Sequence, residues 1–365
     1  MQAAGYRFRV QKLKKRLGEE GLQGAVMVPG PNLRYYTGGN SILLERPFLL
    51  FVSKEGEAHM VAPELEAGPY RHSPIPIRIH PWTDNEGPGK AFKELTSTLE
   101  LGGMWGVEGR APYLFVYHLQ KHARVKLANG EPVLQGVRET KDEEEIRLMR
   151  RSGEILSRVF KKIPSLLKVG MSELELARRL GDETLAQGAE AVSDLLVQSG
   201  ERGADPHSLP SRRKLKKGES VVVDISTSFS GYVADITRTF VLGASQELEN
   251  TYAKVLEAEE RAIKQARTGV TVGSVDAAAR GFLKRYGLDR YFIHRTGHGL
   301  GLEVHEAPYI VSGGREVLRE DMFFTIEPGV YVPGKSGVRI EDDVMSTKGG
   351  RDVITNPPKE YGWWN

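Results

Sequence analysis

The stretch VVVDISTSFSGYVADITRTF, residues 221–240, constrains this chain more than any other. Residues 221–225 and 232–241 are β-rich and flank Ser-Phe-Ser-Gly, which predicts a β-hairpin turning over residues 228–231. Each strand carries one aspartate. A turn centred on the Phe229–Ser230 bond sets Asp224 directly opposite Asp235, with β-carbons roughly 5 Å apart, where like charges repel. A buried pair of this kind either shares a proton or holds a cation.

The choice between these comes from a second stretch, FFTIEPGVYVPGKSGVRIEDDV. Its turn, Pro333-Gly334-Lys335-Ser336-Gly337, places Glu327 and Glu341 opposite one another when Gly334 is the midpoint. Four inward carboxylates are too many for one proton, and His298 in the Gly-rich run HRTGHGLGLEVHE adds a nitrogen donor. Carboxylates with a single imidazole suit divalent metal ions, two of them for this number of donors.

Composition narrows the function classes. At 365 residues the chain is long enough for two domains. A formal net charge of +3 is small for that length and argues against a dedicated nucleic-acid or membrane-surface binder; the basic clusters at residues 12–16 and 212–217 read as a solvated helix face and a charged loop. There is no cysteine, so thiolate ligands, thiol nucleophiles and disulfides are excluded together. With no apolar run of signal-peptide or membrane-spanning length, the expected location is the cytoplasm.

The N-terminal part reads as a small mixed α/β domain. An amphipathic helix from Arg7 to Gly18 puts Phe8, Val10, Leu13 and Leu17 on one side. Strands are expected at residues 25–28, 48–52, 58–61, 75–79 and 104–107, and helices at 90–99 and 113–122. The boundary is set at 1–136 and 137–365. Beyond it, Lys141-Asp142-Glu143-Glu144-Glu145 opens a long helix whose acidic first turn suits the helix dipole, and Ser172-Glu173-Leu174-Glu175 is a capping box. Gly170-Met171-Ser172 and Gly269-Val270-Thr271 each open a helix after a long amphipathic one, with an acidic hairpin downstream; this internal repeat predicts a pseudo-twofold domain.

The run HRTGHGLGLEVHE, with VVVDIS, YVADITRTF, FTIEPG and VRIEDD around it, resembles the proline-specific metallopeptidases, Xaa-Pro dipeptidase (prolidase) and Xaa-Pro aminopeptidase. GPNLRYY and WGVE are similar to the N-terminal domain of the same family, so the likeness spans essentially the whole chain. It implies an α+β molecule with a pita-bread catalytic domain, in which Asp224 chelates one metal ion, His298 and Glu327 bind the other, and Asp235 and Glu341 bridge both. The ions implied are Mn(II), with Co(II) or Zn(II) as alternatives. Two departures, Ser226 and Ala234 where the family has glycine and serine, fall at no ligand position.

The likeness also implies that His207, His294 and His305 act near the substrate with Arg339, while Glu327 ferries a proton. Tyr331 is a candidate wall of a proline pocket. The expected reaction is cleavage of the bond before proline in Xaa-Pro dipeptides by a homodimer. Longer Xaa-Pro peptides are the alternative, and a methionine aminopeptidase, a metal-free creatinase-like hydrolase and a non-catalytic binding protein on the same fold are rivals.

Overall fold

The computed structural model describes residues 3–364. Among these the chain divides into two compact units between Arg138 and Glu139.

The first unit is built on a mixed sheet of β1 (Gly24–Met27), β2 (Leu49–Ser53), β3 (Ala58–Pro63), β4 (Ile77–Trp82), β5 (Met104–Val107) and β6 (Lys126–Asn129), ordered β4-β3-β2-β1-β5-β6. Six helices accompany it: α1 (Ala3–Glu19), α2 (Pro31–Thr37), α3 (Glu64–Ala67), α4 (Gly89–Thr98), α5 (Tyr113–His122) and α6 (Glu131–Arg138). The buried stripe of α1 is Arg9, Leu13 and Leu17, not the expected one through Phe8, which is 56% exposed. Arg9 takes the inner position because its guanidinium stacks 3.9 Å from the Tyr35 ring centre and donates to the Tyr35 carbonyl, an arrangement that buries a cation at little cost.

The second unit repeats one motif twice. Its first half runs α7 (Glu143–Leu166), α8 (Glu173–Ala186), β7 (Ala191–Ser199), β8 (Ser220–Phe229) and β9 (Tyr232–Val241). Its second half runs α9 (Gln246–Gln265), α10 (Val272–Lys284), β10 (Gly297–Gly299), β11 (Glu306–Ile310), β12 (Phe323–Ile326), β13 (Gly329–Val332), β14 (Ser336–Arg339), β15 (Asp342–Thr347) and β16 (Gly350–Val353). Side-chain caps start every helix: Asp142 and Ser172 form full capping boxes with Glu145 and Glu175, and Ser245 and Thr271 cap α9 and α10. The bends before α8 and α10 are laced identically. Gly170 donates to Leu215 and Leu215 back to Met171; Gly269 donates to Leu318 and Leu318 back to Val270.

Each half has its own apolar core. Leu156, Phe160, Leu180, Val223 and Ile236 pack in the first; Tyr252, Val255, Phe324, Ile326 and Val344 pack in the second. The two helix pairs thus clamp their own strands, and the functional face is left to the strands' other side.

Candidate metal centre

The β8–β9 hairpin turns over two residues only, Ser230 and Gly231, with φ of 50° and 84°. Two consecutive positive φ values make a tight turn whose twist matches the strands. It shifts the register by two from the expected one, so Asp235 faces Ser226 and Asp224 faces Thr237. The expected Asp224–Asp235 opposition is therefore corrected to a diagonal neighbourhood. Because side chains alternate with period two, the shift keeps both aspartates on the same face.

The second acidic ribbon keeps its expected register but opens at the decisive step. Ile326 pairs with Asp342 on one side and Gly329 with Arg339 on the other, so Glu327 and Glu341 stand across the gap between two paired stretches. There the Glu327 N–H donates to the Thr296 carbonyl at 2.8 Å and the Glu341 N–H to the Thr237 carbonyl at 3.1 Å. Each glutamate is thereby anchored by a neighbouring segment rather than by its hairpin partner.

His298 lies on β10 between two glycines that are there for closeness. A β-carbon on Gly297 would sit 1.8 Å from the Thr325 carbonyl oxygen, and one on Gly299 would sit 2.2 Å from that of Ala307. The His298 N–H donates to Thr325 Oγ1 at 3.1 Å, and its Nδ1 lies 3.1 Å from the Gly299 carbonyl. That carbonyl fixes the proton on Nδ1 and leaves the Nε2 lone pair free to ligate a cation, 3.4 Å from Glu327 Oε1.

Asp235, His298 and Glu341 are buried and each offers a ligand atom within 4.8 Å of the others. With Asp224 and Glu327 they line one cleft of about 550 Å³. Burial, and then the neighbouring Asp224, Asp343 and Glu327, push the Asp235 carboxyl well above its usual range; burial and Asp235 do the same to Glu341. Burial raises Glu327 to about 7 against the opposing pull of Arg339. Burial and His305 hold His298 far below an ordinary histidine, hence neutral and fit to ligate. Asp235 Oδ1 is buried with no hydrogen-bond partner. Orphaned oxygen, crowded carboxylates and a neutral imidazole fit divalent cations, and the all-O,N donor set suits Mn(II), Co(II) or Zn(II).

The other expected residues fall into two groups. His207 and His305 are exposed and line the cleft, the His305 ring edge-on to His298 at 4.0 Å between centres. Arg339 is 3% exposed and fully engaged: Nε to Thr237 Oγ1 at 3.0 Å, one terminal nitrogen to Tyr331 Oη at 2.9 Å, the other to Asp224. Tyr331 is buried behind the cleft and does not line it. His294 donates from Nδ1 to the Arg295 carbonyl at 2.7 Å and accepts from Tyr331 Oη at 2.8 Å. Burial and Arg339 push it down to about 3, so it is a fixed acceptor and not a proton donor.

Thr237, Asp343, Arg295 and Asp194 also belong to the site and are not among the residues expected from sequence. Thr237 donates to Glu341 Oε2 at 2.6 Å, and Asp343 Oδ2 accepts the Asp235 N–H at 3.0 Å. Both stand two residues beyond a ligand candidate, a spacing that strand periodicity makes visible. Asp194 enters the cleft beside an irregularity of β7 after Val192, which no local signal announces.

Residues 147–348 match metallopeptidase family M24 and residues 9–140 match the creatinase/prolidase N-terminal domain. The chain belongs to family M24. Its second unit is accordingly a pita-bread domain, and the protein is a metallopeptidase. It is 37% identical, over 94% of its length and 92% of the relative's, to the probable dipeptidase PepE of Mycobacterium tuberculosis. It is 32% identical to the Xaa-Pro dipeptidase of Pyrococcus horikoshii, covering 96% of this chain and 98% of that one. The solved structure of recombinant prolidase from Thermococcus sibiricus is 38% identical and superposes with a TM-score of 0.93, covering 98% of both chains. No helix among the described residues of this M24 chain is long and apolar enough to cross a membrane.

Proposed function

We propose that this chain is an Xaa-Pro dipeptidase with two divalent ions, Mn(II) by preference, held by Asp224, Asp235, His298, Glu327 and Glu341. The observation that carries the reading is the convergence of these five side chains on one cleft, each glutamate and the histidine fixed by a hydrogen bond from its own backbone. Ions held by these five side chains would supply a water-derived nucleophile at neutral pH and polarisation of the carbonyl before proline. The chain's own groups do the rest. Glu327 takes the proton of the attacking water and delivers it to the proline nitrogen, which has no N–H in the peptide and must gain one to leave. His207 and His305, exposed at the cleft, hold the substrate carbonyl oxygen. His294, as a neutral acceptor, orients Tyr331 and through it Arg339.

Metal analysis and assay on Ala-Pro, Ala-Pro-Ala and amidated Ala-Pro test the assignment. Two ions per chain and a preference for the free dipeptide are expected. Activity in chelator equal to that of the loaded enzyme would sink it, and equal cleavage of all three peptides would make the protein an aminopeptidase. Asp235→Ala abolishes the two-ion stoichiometry in this reading. His207→Ala or His305→Ala keeps the metal and lowers kcat/KM by ~10²-fold, as expected for loss of a positioned polar group. We further assign a homodimer in the cytoplasm, checked by light scattering and fractionation.

A further inference from the structure

A dipeptide brings one group to the enzyme that a longer peptide does not bring at the same place: the carboxylate directly after proline. The permanent cations are the natural partners for it, and the cleft is lined by two, Arg339 and Arg295. Arg339 is spoken for, with Asp224, Thr237 and Tyr331 on its three nitrogens. The basic loop offers nothing, because Arg213 is committed to Glu219 at 2.7 and 2.8 Å and neither it nor Arg212 lines the cleft.

Arg295 differs. Among the described residues no carboxylate lies within ion-pair distance of its guanidinium. Its Cζ lies 4.5 Å from the centre of the Tyr309 ring, which occupies the flat face and leaves the N–H edge free. Its main chain is pinned by the bond from His294 Nδ1 to its carbonyl at 2.7 Å. A half-buried, stacked guanidinium with an open edge beside a peptidase site is built to receive a carboxylate in a fork.

We propose that Arg295 is a specificity-determining residue that binds a substrate carboxylate, the terminal one following proline in an Xaa-Pro dipeptide. This rests on the dipeptidase reading above. An acidic first residue carries the same chemistry from the other side of the scissile bond, and substrates separate the two.

The test compares metal-loaded wild type, Arg295→Met and Arg295→Lys on Ala-Pro, Ala-Pro-NH2 and Glu-Pro-NH2. Arg295→Met lowers kcat/KM on Ala-Pro about 10- to 100-fold, through KM, as loss of a charged hydrogen-bond partner does. It leaves Ala-Pro-NH2 within about twofold, and Arg295→Lys recovers part of the loss. A loss confined to Glu-Pro-NH2 assigns the guanidinium to an acidic first side chain. Equal losses on all three, or none, overturn the proposal. If Arg295→Met does not fold, judged by thermal melting, Arg295→Lys carries the same comparison, since lysine keeps the charge and loses the fork. If wild type cuts none of these peptides, the dipeptidase reading fails by itself; equilibrium binding of L-proline against prolinamide to wild type and variant still decides whether Arg295 holds the carboxylate.

Discussion

Thr237 is the residue through which a buried arginine and a buried glutamate share one hydroxyl: its Oγ1 accepts from Arg339 Nε at 3.0 Å and donates to Glu341 Oε2 at 2.6 Å. Replacing it by valine keeps the shape and strips both partners, leaving a buried charge on each side short of a bond. Thr237→Val is expected to weaken metal binding 10- to 100-fold, roughly the effect of losing an outer partner of a metal ligand, with little loss of fold; metal titration followed by calorimetry reads it. This residue was legible by strand period from Asp235, as Asp343 was from Glu341. Arg295 was not, because its meaning lies in what fails to pair with it, and pairing is a tertiary fact.

At the scale of elements, the two acidic ribbons show what a turn sequence can convey. The Gly334-centred turn was read with the correct register because Pro-Gly-Lys-Ser-Gly defines its own midpoint, and Gly334 has φ of 70°. The first hairpin departs from its expected register by two residues because Ser230 adopts a positive φ that serine seldom takes, moving the turn off Phe229. α2 carries little helix signal in its sequence for a different reason. Its seven residues include Tyr35, Tyr36 and Thr37, poor helix formers stabilised by burial rather than propensity. β10 carries the sharpest prediction at this scale. Gly297→Ala forces a β-carbon to within 1.8 Å of the Thr325 oxygen, so β10 must leave β12 and take His298 with it. A loss of about 1–3 kcal/mol and of metal binding is expected. Gly281→Ala on α10, with nothing within 4 Å, is the control and should gain up to about 1 kcal/mol. Thermal melts of the two variants in chelator and in metal decide it.

For the molecule as a whole, the site is a source of instability until cations fill it. Glu327 rises from an ordinary 4.5 to about 7, and Asp235 and Glu341 rise well above their ordinary values, so the folded metal-free chain holds protons that the unfolded chain has already lost. Stability then falls as pH climbs through the folded pKa values. His294, His298 and His305 are shifted down from 6.5 and act below that pH, so the slope above it belongs to buried carboxylates, those of the site together with Glu108 and Glu259, which burial raises to about 7 and about 8. Metal-free protein is expected to melt at a lower temperature at pH 8 than at pH 7. With saturating Mn(II) that difference should shrink or reverse, since deprotonated ligands bind the ion more tightly. A melting temperature that rises from pH 7 to 8 in chelator would contradict the protonated carboxylates, and a fall that persists in Asp235→Asn would assign the slope to Glu108 and Glu259 instead of the cluster.

Two aspartates of the proposed centre come from the first half of the catalytic unit, and the histidine and both glutamates from the second. During synthesis the ribosome delivers Asp224 long before Glu341. A nascent chain that has already packed α7 and α8 onto their hairpin therefore presents two acidic side chains to water with nothing yet to share them. With the proposed ligands divided in this way, the full donor set exists only once the second helix pair and its strands have been released. A two-ion centre built on this donor set then leaves the first half of folding to that half's own apolar core of Leu156, Phe160, Leu180, Val223 and Ile236.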